Sequence, residues 1–333
     1  MQFRTVSGTW GNRRVGVASG SKRQFRNVEE IRNSGYEGTV NICDSNLPTE
    51  HLSCEGSRVE CRHAGSGEPV VLVHGLLGYS FSWRSVIPLL THDWEVFAPD
   101  MPGAGFSECR ADLDCRLGSA AHRLLALLDA AGIRSCHLVG SSYGGATAVL
   151  AAGLAPSRIR SLTLVSPANP WSRIGRKRLA LLRNPVMAHF FPKMARSVHP
   201  VHRYFVRRMW GDPRRITEET LEGYSRPLIR AGIFEHSVKI VRTWKADMAQ
   251  LEAMLPKIAS IPTLLVWGSK DRVVDPSSAK FLSQALRGAR IEIIEGAGHL
   301  PYEECPEEFC RILQEFLHSA RAQPVKGSVR DVT

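Results

Sequence analysis

The sequence predicts an α/β fold with a mostly parallel sheet that is flanked by helices. Several short, continuous apolar runs are typical of strands buried on both faces. These runs alternate along the chain with segments of helical periodicity, as in parallel sheets covered by crossover helices. The length of 333 residues suits one large α/β domain with an insertion better than it suits one small domain.

The folded domain is expected to begin with a β-hairpin. Residues 1–45 show neither helical nor strand periodicity, which predicts an N-terminal extension with little fixed structure. Residues 49–63 then read as two strands joined by a turn at Glu55 and Gly56. The α/β core is predicted to comprise residues 46–167 and 251–320, followed by a tail at 321–333.

The remaining strands and helices of the core follow in alternation. Apolar runs predict strands at 69–74, 94–99, 136–139, 159–165, 262–267 and 289–294. Helical patterns occur at 81–90, 119–131, 143–153, 277–286 and 307–317. Ser119 is the expected cap of the second helix and Gly132 its stop.

Residues 168–250 lack buried-strand runs and predict a helical cap. Helices are expected at 171–183, 186–194, 201–210 and 218–229. Because this insertion follows the sixth strand, it must emerge at the carboxyl edge of the sheet, where ligands bind in open α/β sheets. We therefore interpret it as a lid.

The lid carries the positive charge of the chain. The formal net charge is +11, and residues 170–245 contain seventeen Lys or Arg against five Asp or Glu. Two interpretations stay open: contact with an anionic lipid surface or amphipathic substrate, and a solvated positive face over an apolar tunnel. Nucleic acid is not expected, because the arginines are interleaved with apolar residues at amphipathic spacing and no nucleic-acid motif is present.

A G-x-S-x-G motif lies between a predicted strand and a predicted helix. Gly140 and Gly144 stand two residues either side of Ser142. A serine that attacks a carbonyl needs a sharp, strained turn, and only residues without a Cβ fit at those two positions. Ser142 is therefore the candidate nucleophile.

A serine nucleophile needs a base and an orienting acid. His299 follows the last predicted strand in a loop with two glycines, which would let its ring reach Ser142. Asp271 follows the preceding strand and is the candidate acid. Asp275 has a sufficient structural role as the N-cap of the helix that begins at Pro276.

The oxyanion of the reaction intermediate needs backbone donors. The amide of Tyr143 is one candidate, at the start of a helix where amides are unpaired. The amide of Leu76 is the other candidate. Leu76 lies in the glycine-containing loop 74–78, which follows the first buried strand and begins with His74 and Gly75. His74 is interpreted as a structural turn residue and not as a second base.

Taken in order, these motifs resemble the α/β-hydrolase superfamily, and the capped serine esterases and carbon–carbon bond hydrolases in particular. The resemblance covers residues 49–317 and includes the Asp100-x-Pro-Gly-x-Gly-x-Ser107 loop. It implies an eight-stranded, mostly parallel sheet, a cap after the sixth strand and no metal or organic cofactor. Related epoxide hydrolases and haloalkane dehalogenases carry Asp where this chain has Ser142, which disfavours those activities.

The sequence therefore predicts a serine hydrolase that cleaves an apolar or amphipathic ester, or a related acyl or carbon–carbon bond, through an acyl-enzyme. Two alternatives stay open: a receptor-type protein of the same fold with little turnover, and cofactor-free lyase or perhydrolase chemistry. Eight scattered cysteines without C-x-x-C spacing, and the lack of a signal-like apolar segment, predict a cytoplasmic protein with reduced thiols. Oligomeric state cannot be read from the sequence.

Overall fold

A single eight-stranded sheet organises the protein. The computed structural model describes residues 47–172 and 199–322. The predicted α/β architecture, with an eight-stranded, mostly parallel sheet flanked by helices, is confirmed. The strands are β1 (Thr49–Cys54), β2 (Ser57–Gly65), β3 (Glu68–Val73), β4 (Trp94–Pro99), β5 (Cys136–Ser141), β6 (Ile159–Val165), β7 (Thr263–Gly268) and β8 (Arg290–Ile294).

Strand order places the loops that carry the candidate site. The order across the sheet is β1-β2-β4-β3-β5-β6-β7-β8. β2 runs antiparallel to β1 and β4, whereas β3 to β8 all run parallel to one another. The carboxyl ends of β3, β5, β7 and β8 therefore meet at one edge, where ligands bind in sheets of this kind.

Helices cover both faces of the sheet. Along β3, Val71 and Val73 belong to one buried cluster with residues of α2 and α3, whereas Val70 and Leu72 belong to another with residues of α1 and α9. This alternation follows from the two-residue period of a strand. The helices are α1 (Ile87–Leu90), α2 (Leu117–Ala130), α3 (Tyr143–Leu154), α4 (His199–Met209), α5 (Glu218–Ser225), α6 (Ile233–Ile258), α7 (Ser278–Ala285), α8 (Pro301–Glu304) and α9 (Pro306–Arg321).

Three helices, α4 to α6, are described between β6 and β7. The helices expected at 171–183 and 186–194 lie outside the described residues, apart from Trp171 and Ser172, which are not helical. The helix expected at 218–229 ends at Ser225, and a 3-10 turn, Arg226–Ile229, follows it. Pro227 explains the break, because its ring excludes a continuous α-helix. α6 extends to Ile258, eight residues past the expected end of the cap at residue 250.

Two details of the core differ from the sequence prediction. The helix expected at 81–90 is a 3-10 turn, Ser80–Trp83, followed by α1, because Pro88 removes an amide and collides with the preceding turn. α2 begins at Leu117, so Ser119 is not its cap. The Leu117 amide donates instead to Asp247 Oδ1 of α6 at 3.2 Å, a cap supplied by tertiary structure.

The helix after Asp275 also begins later than expected. α7 starts at Ser278, with Ser277 at its N-cap. Asp275 Oδ1 accepts the Ser277 amide at 3.0 Å, so its carboxylate closes the turn ahead of the helix. Asp275 thus has a local structural contact, although it is not the N-cap. None of the helices in the described ranges has the length and apolar character needed to cross a membrane.

Candidate active site

Ser142 occupies a strained turn between β5 and α3. Its backbone has φ +53° and ψ −117°, a conformation that costs about 1–3 kcal/mol for a residue other than glycine. Neighbouring hydrogen bonds hold it there. The Ser142 amide donates to Val165 O at 2.9 Å, and its carbonyl accepts from Ala168 at 2.9 Å and Ala146 at 3.1 Å.

The two glycines of the motif are needed for close packing. A Cβ at Gly140 would lie 2.5 Å from the carbonyl oxygen of Gly144. A Cβ at Gly144 would collide with the carbonyl oxygens of Val73 and His74 at the end of β3. The start of α3 therefore sits directly against the loop after β3. In that loop, a Cβ at Gly75 would stand 3.1 Å from Ser142 Cβ.

His299 and Asp271 form a buried pair at the ends of β8 and β7. His299 Nδ1 lies 2.9 Å from Asp271 Oδ2, and both side chains are almost fully buried. Asp271 Oδ1 accepts the amides of Val273 at 2.7 Å and Val274 at 3.0 Å. With Asp271 ionised, this contact places a proton on Nδ1 and leaves Nε2 with a free lone pair.

The surroundings of Asp271 favour its charged form. Burial alone would raise the pKa of this carboxyl. The charge and hydrogen bond of His299, with the amides of Val273 and Val274, outweigh burial and hold the pKa of Asp271 below its usual value. Asp271 is therefore an anion at neutral pH, as an orienting acid must be.

Ser142 and His299, the candidate nucleophile and base, lie at the same edge of the sheet but are not hydrogen-bonded to each other in the described part of the chain. Within the described residues, no hydrogen bond joins Ser142 Oγ to the His299 ring, whose recorded side-chain partner is Asp271. Catalytic hydrogen bonds are often long without substrate and tighten in the substrate complex.

The two candidate oxyanion donors have free amides. In the part of the chain that the structure describes, the amides of Leu76 and Tyr143 donate to no loop carbonyl and to no side chain. Tyr143 is the first residue of α3, where an amide has no helical partner. Leu77 has φ +61°, and the Gly78 amide donates to Gly75 O at 3.0 Å, so Leu76 lies in a tight turn.

His74 joins the loop after β3 to the loop after β4. Its Nε2 accepts the Met101 amide at 2.9 Å, and its Nδ1 lies 2.9 Å from Gly75 O. Burial lowers the pKa of His74 more than the nearby Asp100 raises it. The ring is therefore neutral, with its proton on Nδ1, and both nitrogens are engaged in backbone contacts.

Asp100 has a role at this edge that sequence reasoning did not assign. Its Oδ1 accepts the Ser80 amide at 2.7 Å and its Oδ2 accepts the Phe106 amide at 2.8 Å. These bonds fasten the loop after β4 to the 3-10 turn Ser80–Trp83. The only available signal was the position of an acid between a buried strand and a glycine-rich loop.

Glu304 was also not predicted from the sequence. Its carboxylate holds the loop that carries His299 by hydrogen bonds. Its carboxylate accepts the Gly298 amide at 2.6 Å and the Gly211 amide at 3.0 and 3.1 Å. The His299 amide donates to Met209 O, at the end of α4, at 2.6 Å. The His299 loop is thus bonded to the segment after α4, and nothing in the local sequence pattern distinguishes Glu304 from its acidic neighbours.

A cavity lies between the loops after β3 and β4, helices α2 and α3, and helix α6. It reaches the candidate oxyanion site, because Leu76 and Tyr143 are among its lining residues. Most of its wall is apolar, and the polar side chains are those of His74, Arg123, Tyr143, Thr147, His236 and Ser237. A mostly apolar cavity with a few polar groups is typical of sites that bind small organic molecules.

The chain is similar in sequence to a known family and to characterised relatives. A model of the alpha/beta hydrolase fold matches residues 68–306. The monoacylglycerol lipase abhd6-A of Xenopus laevis is 27% identical over 268 residues, covering 78% of this chain and 77% of that protein. Lipase 3 of Moraxella sp. (strain TA144) is 28% identical over 246 residues, covering 73% and 75%.

A solved structure shares the fold. It is the 2-hydroxy-6-oxo-6-phenylhexa-2,4-dienoate hydrolase from Rhodococcus sp. strain RHA1, which superimposes with a TM-score of 0.71 at 22% identity. The superposition covers 82% of this chain and 99% of that one.

Proposed function

Because the chain belongs to the α/β-hydrolase family and is a hydrolase, we propose that it cleaves carboxylic esters through an acyl-enzyme formed on Ser142. The observation that carries this proposal is the buried Asp271–His299 pair at the same sheet edge as the strained Ser142 turn. The apolar wall of the neighbouring cavity supports an apolar or amphipathic substrate.

The proposed mechanism uses the site as follows. Ser142 Oγ attacks the ester carbonyl while His299 Nε2 accepts its proton, and the Asp271 carboxylate stabilises the imidazolium. The amides of Leu76 and Tyr143 donate to the oxyanion, each contributing roughly 100- to 1,000-fold in rate. His299 returns the proton to the leaving alkoxide, and then activates the water that releases the acid and restores Ser142.

A matched pair of serine variants tests the nucleophile. Ser142→Ala should abolish turnover of p-nitrophenyl esters and labelling by a fluorophosphonate. Ser141→Ala is the control, because Ser141 is buried beside it with its Oγ accepting from Tyr302 at 3.1 Å. We expect Ser141→Ala to keep its labelling. Equal labelling of Ser142→Ala and the wild type would overturn the proposal, and fewer than one turnover per protein would favour a receptor instead.

We also propose that the cap contacts anionic lipid surfaces. Tyr204 and Phe205 of α4 and Ile229 after α5 are exposed by 58%, 44% and 67%. Arg207 and Arg226, both exposed, lie in the same elements. Exposed aromatic and aliphatic side chains together with arginines suit the interface of an anionic membrane.

A further inference from the structure

Arg123 is a buried cation in the wall of the cavity beside the candidate oxyanion site. Only 4% of the residue is exposed, and it lines the cavity together with Tyr143 and His236. On α2 it lies three residues after Ala120 and four before Leu127, on the buried stripe of the helix. A guanidinium at such a position needs hydrogen bonds and a counter-charge.

The described residues supply only some of the hydrogen bonds that the Arg123 guanidinium can make, and no counter-charge in direct contact with it. Arg123 Nη2 donates to the carbonyl oxygen of Asp114 at 2.7 Å. Its Nε has no hydrogen-bond partner, and no carboxylate among the described residues lies within ion-pairing distance of the guanidinium. A buried charge left in this condition is costly.

The neighbouring carboxylates are engaged elsewhere. The Asp114 carboxylate binds the Arg116 guanidinium and the Ser119 hydroxyl. Asp247 on α6 accepts the Thr243 hydroxyl at 2.6 Å and the Leu117 amide at 3.2 Å. Neither carboxylate contacts the Arg123 guanidinium directly, although Asp114 lines a second cavity together with Arg123.

The two polar neighbours of Arg123 are neutral. Burial raises the pKa of the Tyr143 phenol, so the hydroxyl keeps its proton, and this hydroxyl also has no partner among the described residues. Burial and the charge of Arg123 lower the pKa of His236 to about 4, and the ring lies 3.3 Å from Cys115 Sγ. This end of the cavity therefore combines one cation with neutral groups that can donate hydrogen bonds.

We propose that Arg123, assisted by the Tyr143 hydroxyl, binds a carboxylate on the part of the substrate remote from the reacting carbonyl. The planar guanidinium matches the two oxygens of a carboxylate. Tyr143 connects the two sites, because its amide is a candidate oxyanion donor and its phenol lines the same cavity as Arg123, within range of the Arg123 charge. The inference rests on the proposed esterase activity and narrows its substrate class to esters that carry a second, free carboxylate.

Paired esters test this specificity. The p-nitrophenyl monoesters of adipic, pimelic and suberic acids are compared with the p-nitrophenyl esters of hexanoic, heptanoic and octanoic acids. The Ser142→Ala protein supplies the blank for spontaneous hydrolysis. For at least one chain length we expect kcat/KM of the wild type to favour the acidic ester by tenfold or more. A preference for the neutral ester at every length would overturn the inference.

Variants then assign the preference to Arg123. Arg123→Met should reduce the ratio of acidic to neutral kcat/KM by at least tenfold, and Arg123→Lys should reduce it less. Arg116→Met is the matched control, because Arg116 is an exposed arginine seven residues earlier that pairs with Asp114. It should leave the ratio unchanged. A purely structural Arg123 would change both esters alike, and an unchanged ratio in Arg123→Met would overturn the inference.

Two further measurements distinguish failure of the carboxylate inference from failure of the esterase proposal. Fluorophosphonate labelling reports how much of each variant is folded, and the absence of both labelling and turnover in the wild type would count against the esterase proposal itself. If Arg123→Met does not fold, inhibition of the wild type decides. Octanoate, whose carboxylate can pair with Arg123, should inhibit at least tenfold more strongly than the uncharged octanamide. Equal inhibition, or stronger inhibition by octyl phosphate, would overturn the carboxylate assignment.

Discussion

Asp271 offers the sharpest test among single residues, because its contacts select one tautomer of His299. Asp271→Asn would place an amide against Nδ1, which favours the tautomer whose Nε2 already carries a proton. We expect kcat on p-nitrophenyl butyrate to fall about 10³- to 10⁴-fold. Asp275→Asn, in the same loop, should stay near the wild type, and an Asp271→Asn protein with a tenth of wild-type kcat would contradict the assigned role.

The pKa of Asp271 predicts how acid affects stability. Because this pKa lies below its unfolded value of about 3.9, the ionised carboxylate stabilises the fold above that pH. The contribution is lost as pH falls through the folded pKa. Urea unfolding at several pH values should therefore show a stability gap between the wild type and Asp271→Asn that is full above pH 4 and shrinks below it. A gap that widens in acid would contradict this.

Residues with a motif were predictable from the sequence, whereas residues with only tertiary partners were not. Ser142 and its two glycines follow from the geometry of a strand–turn–helix. Asp271 and His299 were identified by their position after strands. Glu304 acts through contacts with segments distant in the chain, so no local pattern marks it, and no motif pointed to Arg123.

At the level of elements, Glu304 at the end of α8 connects the loop of His299, the proposed base, to the segment after α4. Burial raises the pKa of its carboxyl more than the amides of Gly298 and Gly211 lower it. The same two segments are joined a second time, by the bond from the His299 amide to Met209 O. A shift of α4 would therefore move the backbone that carries the His299 ring.

We expect Glu304→Gln to lower kcat about tenfold or more and to destabilise the fold by about 1–3 kcal/mol, because a glutamine presents a donor to one of two facing amides. Glu307→Gln is the control, since Glu307 is exposed on the adjoining helix α9. Activity and urea unfolding measure the two effects. Loss of stability with unchanged kcat would show that Glu304 supports the fold without positioning His299.

Strand positions followed from apolar runs, but helix ends did not follow from capping residues. α2 takes its cap from Asp247, which is 130 residues distant, so Ser119 could not reveal the start of the helix. Prolines correspond to helix breaks more closely than the candidate capping residues do. Pro88 and Pro227 each interrupt a segment whose apolar spacing alone predicts one continuous helix.

At the scale of the whole molecule, the cap carries the excess positive charge and also some of the exposed apolar side chains, those of Tyr204, Phe205 and Ile229. Residues 170–245 hold the excess of Lys and Arg that gives the chain its net charge of +11. The Tyr204 and Phe205 rings pack edge to face at 5.8 Å while remaining exposed. Because the cap follows the carboxyl edge of β6, a membrane bound there would lie on the side of the molecule where substrate enters.

Vesicle binding tests that arrangement. Near an anionic membrane each arginine contributes about 1 kcal/mol, so Arg207→Ala should weaken binding to phosphatidylserine-containing vesicles roughly fivefold. Phe205→Ala should weaken it as well, through lost apolar contact.

Arg311→Ala is the matched control, because Arg311 is 61% exposed on α9, outside the cap. Raising salt from 0.1 M to 1 M shortens the screening length from about 10 Å to about 3 Å and should release the protein. Equal binding to pure phosphatidylcholine vesicles, or equal losses in Arg207→Ala and Arg311→Ala, would mean that the positive face of the cap is simply solvated.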